Sequence, residues 1–190
     1  MAYIIAANVK AYAGISGAGD DALLASLITR AQAVIDRYCN RTFEAASAST
    51  RYFTVGRDTE GAWLWFDEDI ASITTVTNGD SVAVSSSQYT TEPKNRTPYH
   101  GIKLLGSAGK VWTYSTDPED AISVVGKWAY STSAPEDIQH AAIRLVTFFY
   151  RQKDTSQDSD RPLLTESGVT LLPLQIPTDV RHMLNPYRWL

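Results

Sequence analysis

Asp20-Asp-Ala-Leu-Leu-Ala-Ser-Leu-Ile-Thr-Arg-Ala-Gln-Ala-Val-Ile-Asp-Arg-Tyr-Cys-Asn40 is the stretch on which the fold turns. Leu23, Leu24, Leu27, Ile28, Ala31, Val34, Ile35 and Tyr38 recur at three- and four-residue spacing, which makes one face of a helix of about 20 residues apolar. Asp20 is placed to cap the free amides, and the Asp20-Asp21 pair suits the positive end of the helix dipole. Asn40 tolerates the left-handed conformation in which helices often end, so the helix is predicted to stop there.

A stripe of this kind needs a second one to cover it. It occurs at 135–150, where Ile138, Ala141, Ala142, Leu145, Val146 and Phe149 share a face, with Ser133 as cap, Pro135 in the first turn and Glu136 as a capping-box partner. The two helices lack other partners of their size, so they are expected to pack on each other. Shorter helical turns are predicted at 8–14, with Asn8 at the start and Gly14 as the stop, and at 178–184, ended by Pro186.

Between the helices the pattern changes period. Residues 52–55, 62–66, 70–77, 81–84, 88–91, 101–105, 110–114 and 121–130 are rich in Val, Ile, Thr, Tyr and Trp and are separated by Gly, Asp, Asn, Ser and Pro, as strands are. Asn78-Gly79 reads as a two-residue hairpin turn, because such a turn needs positive φ. Residues 45–50 read as a linker, 153–161 as a polar mobile stretch, and 162–177 as an extended arm punctuated by prolines. The predicted class is α+β: a small bundle of two long helices plus short ones, with an inserted antiparallel β domain and an extended C-terminal arm. The expected parts are 1–48, a helical segment; 49–132, the β domain; 133–161, the second long helix; and 162–190, the arm.

Composition narrows the function. No apolar run approaches the roughly 18 residues that a membrane helix needs, and the N-terminus lacks the basic start of a signal peptide, so a soluble, non-secreted protein is expected. A single cysteine, Cys39, cannot close an internal disulfide, and it reads as a small buried or half-buried residue. With 17 Lys and Arg against 21 Asp and Glu the formal charge is -4, and the bases are scattered, unlike the clustered footprint of a phosphate-gripping protein.

Chemistry is hard to find. Gly14-Ile-Ser-Gly17-Ala-Gly19 has the glycines of a phosphate loop, but no strand precedes it, no Lys follows it, and Asp20 with Asp21 would repel an anion. His100, His140 and His182 lie in three different regions without metal-ligand spacing. The acidic runs 67–69 and Asp154, Asp158, Asp160 lack the Gly and distal Glu of a calcium loop and read as solvated loops. No nucleophile elbow or His-Glu-x-x-His pair is present. Neither catalysis nor a cofactor or metal is expected.

The tryptophans are more informative. Trp63 and Trp65 alternate with Leu64 and Phe66, so that strand is apolar on both faces and is expected to be buried in the core or at a subunit contact instead of stacking a sugar or base. Trp189 lies far from the rest, in the tail Tyr187-Arg-Trp-Leu190. There an indole and a guanidinium, the composition that anchors interfaces, are expected to sit in water until a partner covers them. Tyr187, Arg188, Trp189 and Leu190 are therefore the candidate interface residues. The sequence expectation is that removing residues 185–190 leaves a folded protein without its partner.

Three phrases carry a resemblance. Asn8-Val-Lys-Ala-Tyr-Ala-Gly-Ile15, followed by Leu27-Ile-Thr-Arg-Ala-Gln-Ala-Val-Ile-Asp-Arg-Tyr-Cys-Asn-Arg-Thr-Phe43, resembles the opening of head-tail connector (adaptor, or head completion) proteins of tailed bacteriophages. Pro135-Glu-Asp-Ile-Gln-His-Ala-Ala-Ile-Arg-Leu-Val-Thr-Phe-Phe-Tyr150 is similar to that family's second long helix, and Ile176-Pro-Thr-Asp-Val-Arg-His-Met-Leu-Asn-Pro-Tyr-Arg188 to its closing phrase. They cover about half of the chain; the departure is the β block of about 80 residues, as in the longer members.

The resemblance implies a structural virion protein of the neck, assembled in the host cytoplasm. It would be one subunit of a ring, usually of twelve copies, that docks under the portal protein and meets a stopper or tail-terminator protein below, with the genomic DNA passing through unbound. Three other readings stay open: a carbohydrate- or ligand-binding β module with helical flanks, a small hydrolase with an assembled site, and another neck ring protein such as a stopper or tail terminator.

Overall fold

The structure is a computed structural model and describes residues 2–152, 163–164, 170–171 and 176–189. It is of the α+β class, with four α-helices and antiparallel sheets among the described residues. The chain divides into two compact units, one made of Arg41–Ala134 and the other of Ala2–Asn40 with Pro135–Leu190. The reading of 153–161 as a mobile stretch lies outside the described residues.

The helical unit is built on α1 (Ala6–Ala13), α2 (Asp21–Cys39), α3 (Glu136–Gln152) and α4 (Thr178–Leu184). α2 packs on α3, and α1 and α4 pack against both. The buried line of α2 is Leu24, Ile28, Ala31, Ile35 and Cys39, while Leu23 is exposed and Leu27, Val34 and Tyr38 are only half-buried. The stripe is narrower than its apolar content because one face of a helix fits one groove. All six residues expected on the buried face of α3 are buried, and Thr147 joins them by donating its hydroxyl to the carbonyl of Ile143 at 2.8 Å.

Helix ends follow the expected backbone more than the expected side chains. Gly14 and Asn40 both end their helices in the left-handed conformation, at φ 69° and 52°. Asp20 precedes α2 but makes no side-chain cap; its carboxylate accepts the Tyr150 hydroxyl at 2.5 Å and so links α2 to α3. Asn8 lies inside α1, where its side chain accepts from the amide of Ile5. Ser133 is too far ahead of α3 to cap it, and the first helical bond of α3 runs from the amide of Gln139 to the carbonyl of Pro135.

The β unit has two four-stranded antiparallel sheets. One runs in the order β1 (Ser49–Phe53), β8 (Ile122–Lys127), β4 (Ser72–Thr77), β5 (Ala83–Val84). The other runs β2 (Thr59–Glu60), β3 (Trp63–Ile70), β7 (Tyr99–Leu104), β6 (Tyr89–Glu92). Phe53, Val76, Ile122 and Val124 from the first and Leu64, Phe66, Ile102 and Leu104 from the second share one core with Trp112 and Trp128. The two indole N–H groups donate to the backbone carbonyls of Ala62 and Ser49, so neither polar edge is left buried and unmet.

Three strand expectations change. Residues 70–77 are not one strand: the chain leaves the second sheet after Ile70 and enters the first at Ser72. Residues 110–114 form no strand and keep only a bridge between Tyr114 and Gly79. Asn78-Gly79 is not a two-residue turn, since positive φ appears at Ser81 and the loop closes from the amide of Asn78 to the carbonyl of Val82. Asn78 is instead a buried hub: its amide group donates to the carbonyl of Val111 at 2.9 Å, and its side-chain oxygen accepts from the amides of Gly79 and Thr113. Gly79 is required for closeness, because a Cβ there would lie 2.3 Å from the carbonyl of Thr113.

A further antiparallel pair, β9 (Leu163–Leu164) with β10 (Thr170–Leu171), falls in the stretch expected to be extended.

Candidate functional site

The tail does not hang free in water, as the sequence led us to expect. After α4 it makes one tight turn, Asn185–Tyr187, and then runs along the end of α2. The amide of Trp189 donates to the carbonyl of Cys39 at 2.9 Å, and the Tyr38 hydroxyl donates to the side chain of Asn185 at 2.6 Å. The last carbonyls of a helix have no partner within it, so a returning stretch of chain is a natural donor to one of them. Cys39, fully buried, points its thiol at the carbonyl of Leu184, 3.8 Å away.

Three of the four candidate residues are gathered here. Tyr187 is half-buried and its hydroxyl donates to the carboxylate of Asp137 at 3.3 Å. Arg188 is exposed, with its guanidinium 5.3 Å from the centre of the Tyr38 ring. Trp189 is half-buried, which corrects the expectation that it stays in water in a monomer. Leu190 lies outside the described residues. The tail is thus a fixed aromatic and guanidinium surface at the C-terminal end of α2, with Arg188 as its exposed charge. Tyr38, read only as part of the buried stripe, is the residue that sequence reasoning missed, because the partner of its hydroxyl, Asn185, lies 147 residues further along the chain.

An ion pair braces the same unit. Arg144 of α3 pairs with Asp179 of α4 and donates to the Tyr12 hydroxyl of α1, which holds the Asp179 carboxyl below the usual carboxylate range. Lys10 donates to the carbonyl of Gly17 and pairs with Asp21, so the glycine loop is held by a lysine and an acid.

In the β unit the acidic run at 67–69 is not a solvated loop. It lies on β3, and Asp69 is buried, with Arg41 Nε 3.6 Å and His100 Nδ1 3.5 Å from its carboxylate. Burial raises its carboxyl above the ordinary value, and the two neighbouring bases offset that only in part. The run Asp154, Asp158, Asp160 lies outside the described residues. Among the described residues no group of three or more His, Cys, Asp or Glu is placed to hold a metal ion, and no helix is long and apolar enough to cross a membrane.

The expectation that Trp63 and Trp65 are buried in this chain's core is corrected. Leu64 and Phe66 point into the core, whereas Trp65 is exposed and Trp63 half-buried on the outer face of the sheet.

Comparison with known proteins agrees with the phrases in the helices and tail. A search of curated proteins finds no match. Among solved structures, a chain from the neck of an empty gene transfer agent (GTA) particle computed with C6 symmetry is similar at TM-score 0.56 and 15% identity, over 97% of this chain and 88% of that one. A chain from the virion of the native gene transfer agent particle is similar at TM-score 0.55 and 16% identity, with the same coverage. At such identities the likeness is one of fold, and it includes the β unit. The family model described as head completion protein matches residues 3–190, and the chain belongs to the head completion protein family.

Proposed function

We propose that this chain is a structural virion protein, a head-tail connector subunit in the neck of a tailed phage or phage-like particle. Copies form a ring, usually of twelve in proteins of this kind, that docks on the portal protein after DNA packaging. A stopper or tail-terminator protein follows below, and the genome passes through without specific binding. The protein is assembled in the host cytoplasm, ends in the virion, and carries out no catalysis.

The observation that carries this reading is the family match over residues 3–190, joined to a fold likeness that spans 97% of the chain. The tail surface supports it: Tyr187, Arg188 and Trp189, with Leu190, offer an ordered anchor for the portal or for a neighbouring subunit. In a closed ring each subunit meets the next through two different surfaces, so a single protruding anchor is compatible with closure. A formal charge of -4 suits a DNA conduit, since a basic lumen would hold phosphates.

The test is genetic and biochemical. A phage deprived of this chain should accumulate filled heads and separate tails, and purified protein should restore joining. Infectious particles assembled without it would overturn the proposal.

A further inference from the structure

The outer face of β3 carries an aromatic pair that the neck reading does not use. Trp63 and Trp65 stack with ring centres 4.8 Å apart and planes within 9°, and the Lys103 amine sits 4.9 Å from the centre of the Trp63 ring. Trp65 remains 40% exposed. Across the sheet from it stands Gly101, where a Cβ would come within 2.7 Å of the Leu64 carbonyl and 2.9 Å of Trp65 Cε3. The missing side chain leaves the space that the indole fills. The indole is thus set against a strand and a second ring, so little freedom is lost when something covers it.

The surroundings of the pair state what would cover it. Glu60 stands opposite Trp63 and Glu92 opposite Gly101, and Asp67 follows Trp65 by two residues; all three are exposed. None of the three takes part in a close ion pair among the described residues, and of the three Asp67 acts at longer range on the exposed Arg57. The cation of this face, Lys103, is already placed over Trp63. An open indole with exposed carboxylates on the paired strands and further along its own suits a planar cation, because a guanidinium stacks on the ring and offers its N–H groups to acids. A neutral sugar would gain the stacking but nothing from the charge.

We propose that the Trp63–Trp65 face docks an arginine-bearing segment of a protein partner, with the guanidinium stacked on Trp65 and Glu60, Asp67 and Glu92 supplying the countercharge. This surface lies in the β unit and does not rest on the tail or on the neck reading, so either can fail without the other.

The experiment follows the indole N–H signals of Trp63 and Trp65 by NMR in the full chain, titrated with a hexa-arginine peptide, a hexa-lysine peptide and maltohexaose. Hexa-arginine should shift both signals saturably, and hexa-lysine should bind about ten-fold more weakly, since an ammonium lacks the planar fork. Trp65→Ala should abolish the response of the Trp63 signal. Glu92→Gln, a change at an exposed side chain outside the core, should weaken hexa-arginine several-fold with the melting temperature unchanged. Equal binding of the two peptides, binding unaffected by Trp65→Ala, no shift with hexa-arginine, or a matching shift with maltohexaose would each overturn the proposal.

Discussion

The amide of Trp189 and the carbonyl of Cys39, 2.9 Å apart, tie the tail to the end of the second helix. The surface proposed for assembly is therefore part of the folded helical unit before any partner arrives. Order that exists in advance lowers the entropic cost of docking.

This tie changes what a truncation should do. Removing residues 185–190 takes away the Trp189 amide, the Asn185 acceptor of Tyr38 and the Tyr187 hydroxyl that donates to Asp137, so the shortened protein should melt several degrees lower. Tyr38→Phe isolates one element and should cost about 0.5–1.5 kcal/mol in urea denaturation, the usual net value of one hydrogen bond. Arg188→Ala should change stability little, because its side chain is exposed, while weakening portal binding in a pull-down. Unchanged binding by Arg188→Ala would remove Arg188 from the interface.

The helical core should be sensitive where the two stripes meet. Leu145 is fully buried on α3, and Leu145→Ala should destabilise by about 2–5 kcal/mol through lost burial and a residual cavity. Leu23→Ala, in the same apolar pattern but exposed, should cost far less. Denaturant curves for the two variants check the contrast.

Much of this was legible in the sequence. The period of 20–40 and 135–150 announced both helices, and the apolar run Trp63–Phe66 announced a strand, though not that only Leu64 and Phe66 would face the core. What escaped was anything set by tertiary approach. Asn78-Gly79 has the composition of a tight turn, yet the need to pass Thr113 closely made Gly79 a spacer and Asn78 a buried clamp. Likewise, nothing near Asp69 in sequence foretells Arg41 and His100 beside it, and nothing near Trp189 foretells Cys39. The tail residues could be picked out by composition, but their attachment could not.

The clamp can be tested directly. Asn78→Asp keeps the oxygen that accepts from Gly79 and Thr113 but loses the donor to Val111, and should cost about 1–3 kcal/mol, as expected for a buried acceptor left unmet beside a buried charge. Gly79→Ala should destabilise by about 1–3 kcal/mol, since the new methyl meets backbone that cannot swing aside. Thermal melts of both variants give the comparison.

Asp69 gives a pH dependence of definite sign. Its folded carboxyl is raised by burial, so the fold holds that proton more tightly than the unfolded chain does. Its favourable contribution is complete below the ordinary carboxyl value of about 4 and is lost as pH rises through the raised value. Asp69→Asn removes this titration. The melting temperature of the variant minus that of the native protein should therefore move in the variant's favour as pH rises above about 4. A difference that moves the other way would mean that Arg41 and His100 outweigh burial.

The central claim is that this chain is a neck subunit that meets a portal. Native mass spectrometry of the purified protein with and without portal rings tests it most directly, with negative-stain images of the same samples. The account predicts a portal complex carrying one closed ring of this chain, and loss of that complex with Arg188→Ala combined with Trp189→Ala. A mixture in which portal and this chain remain separate species would contradict it.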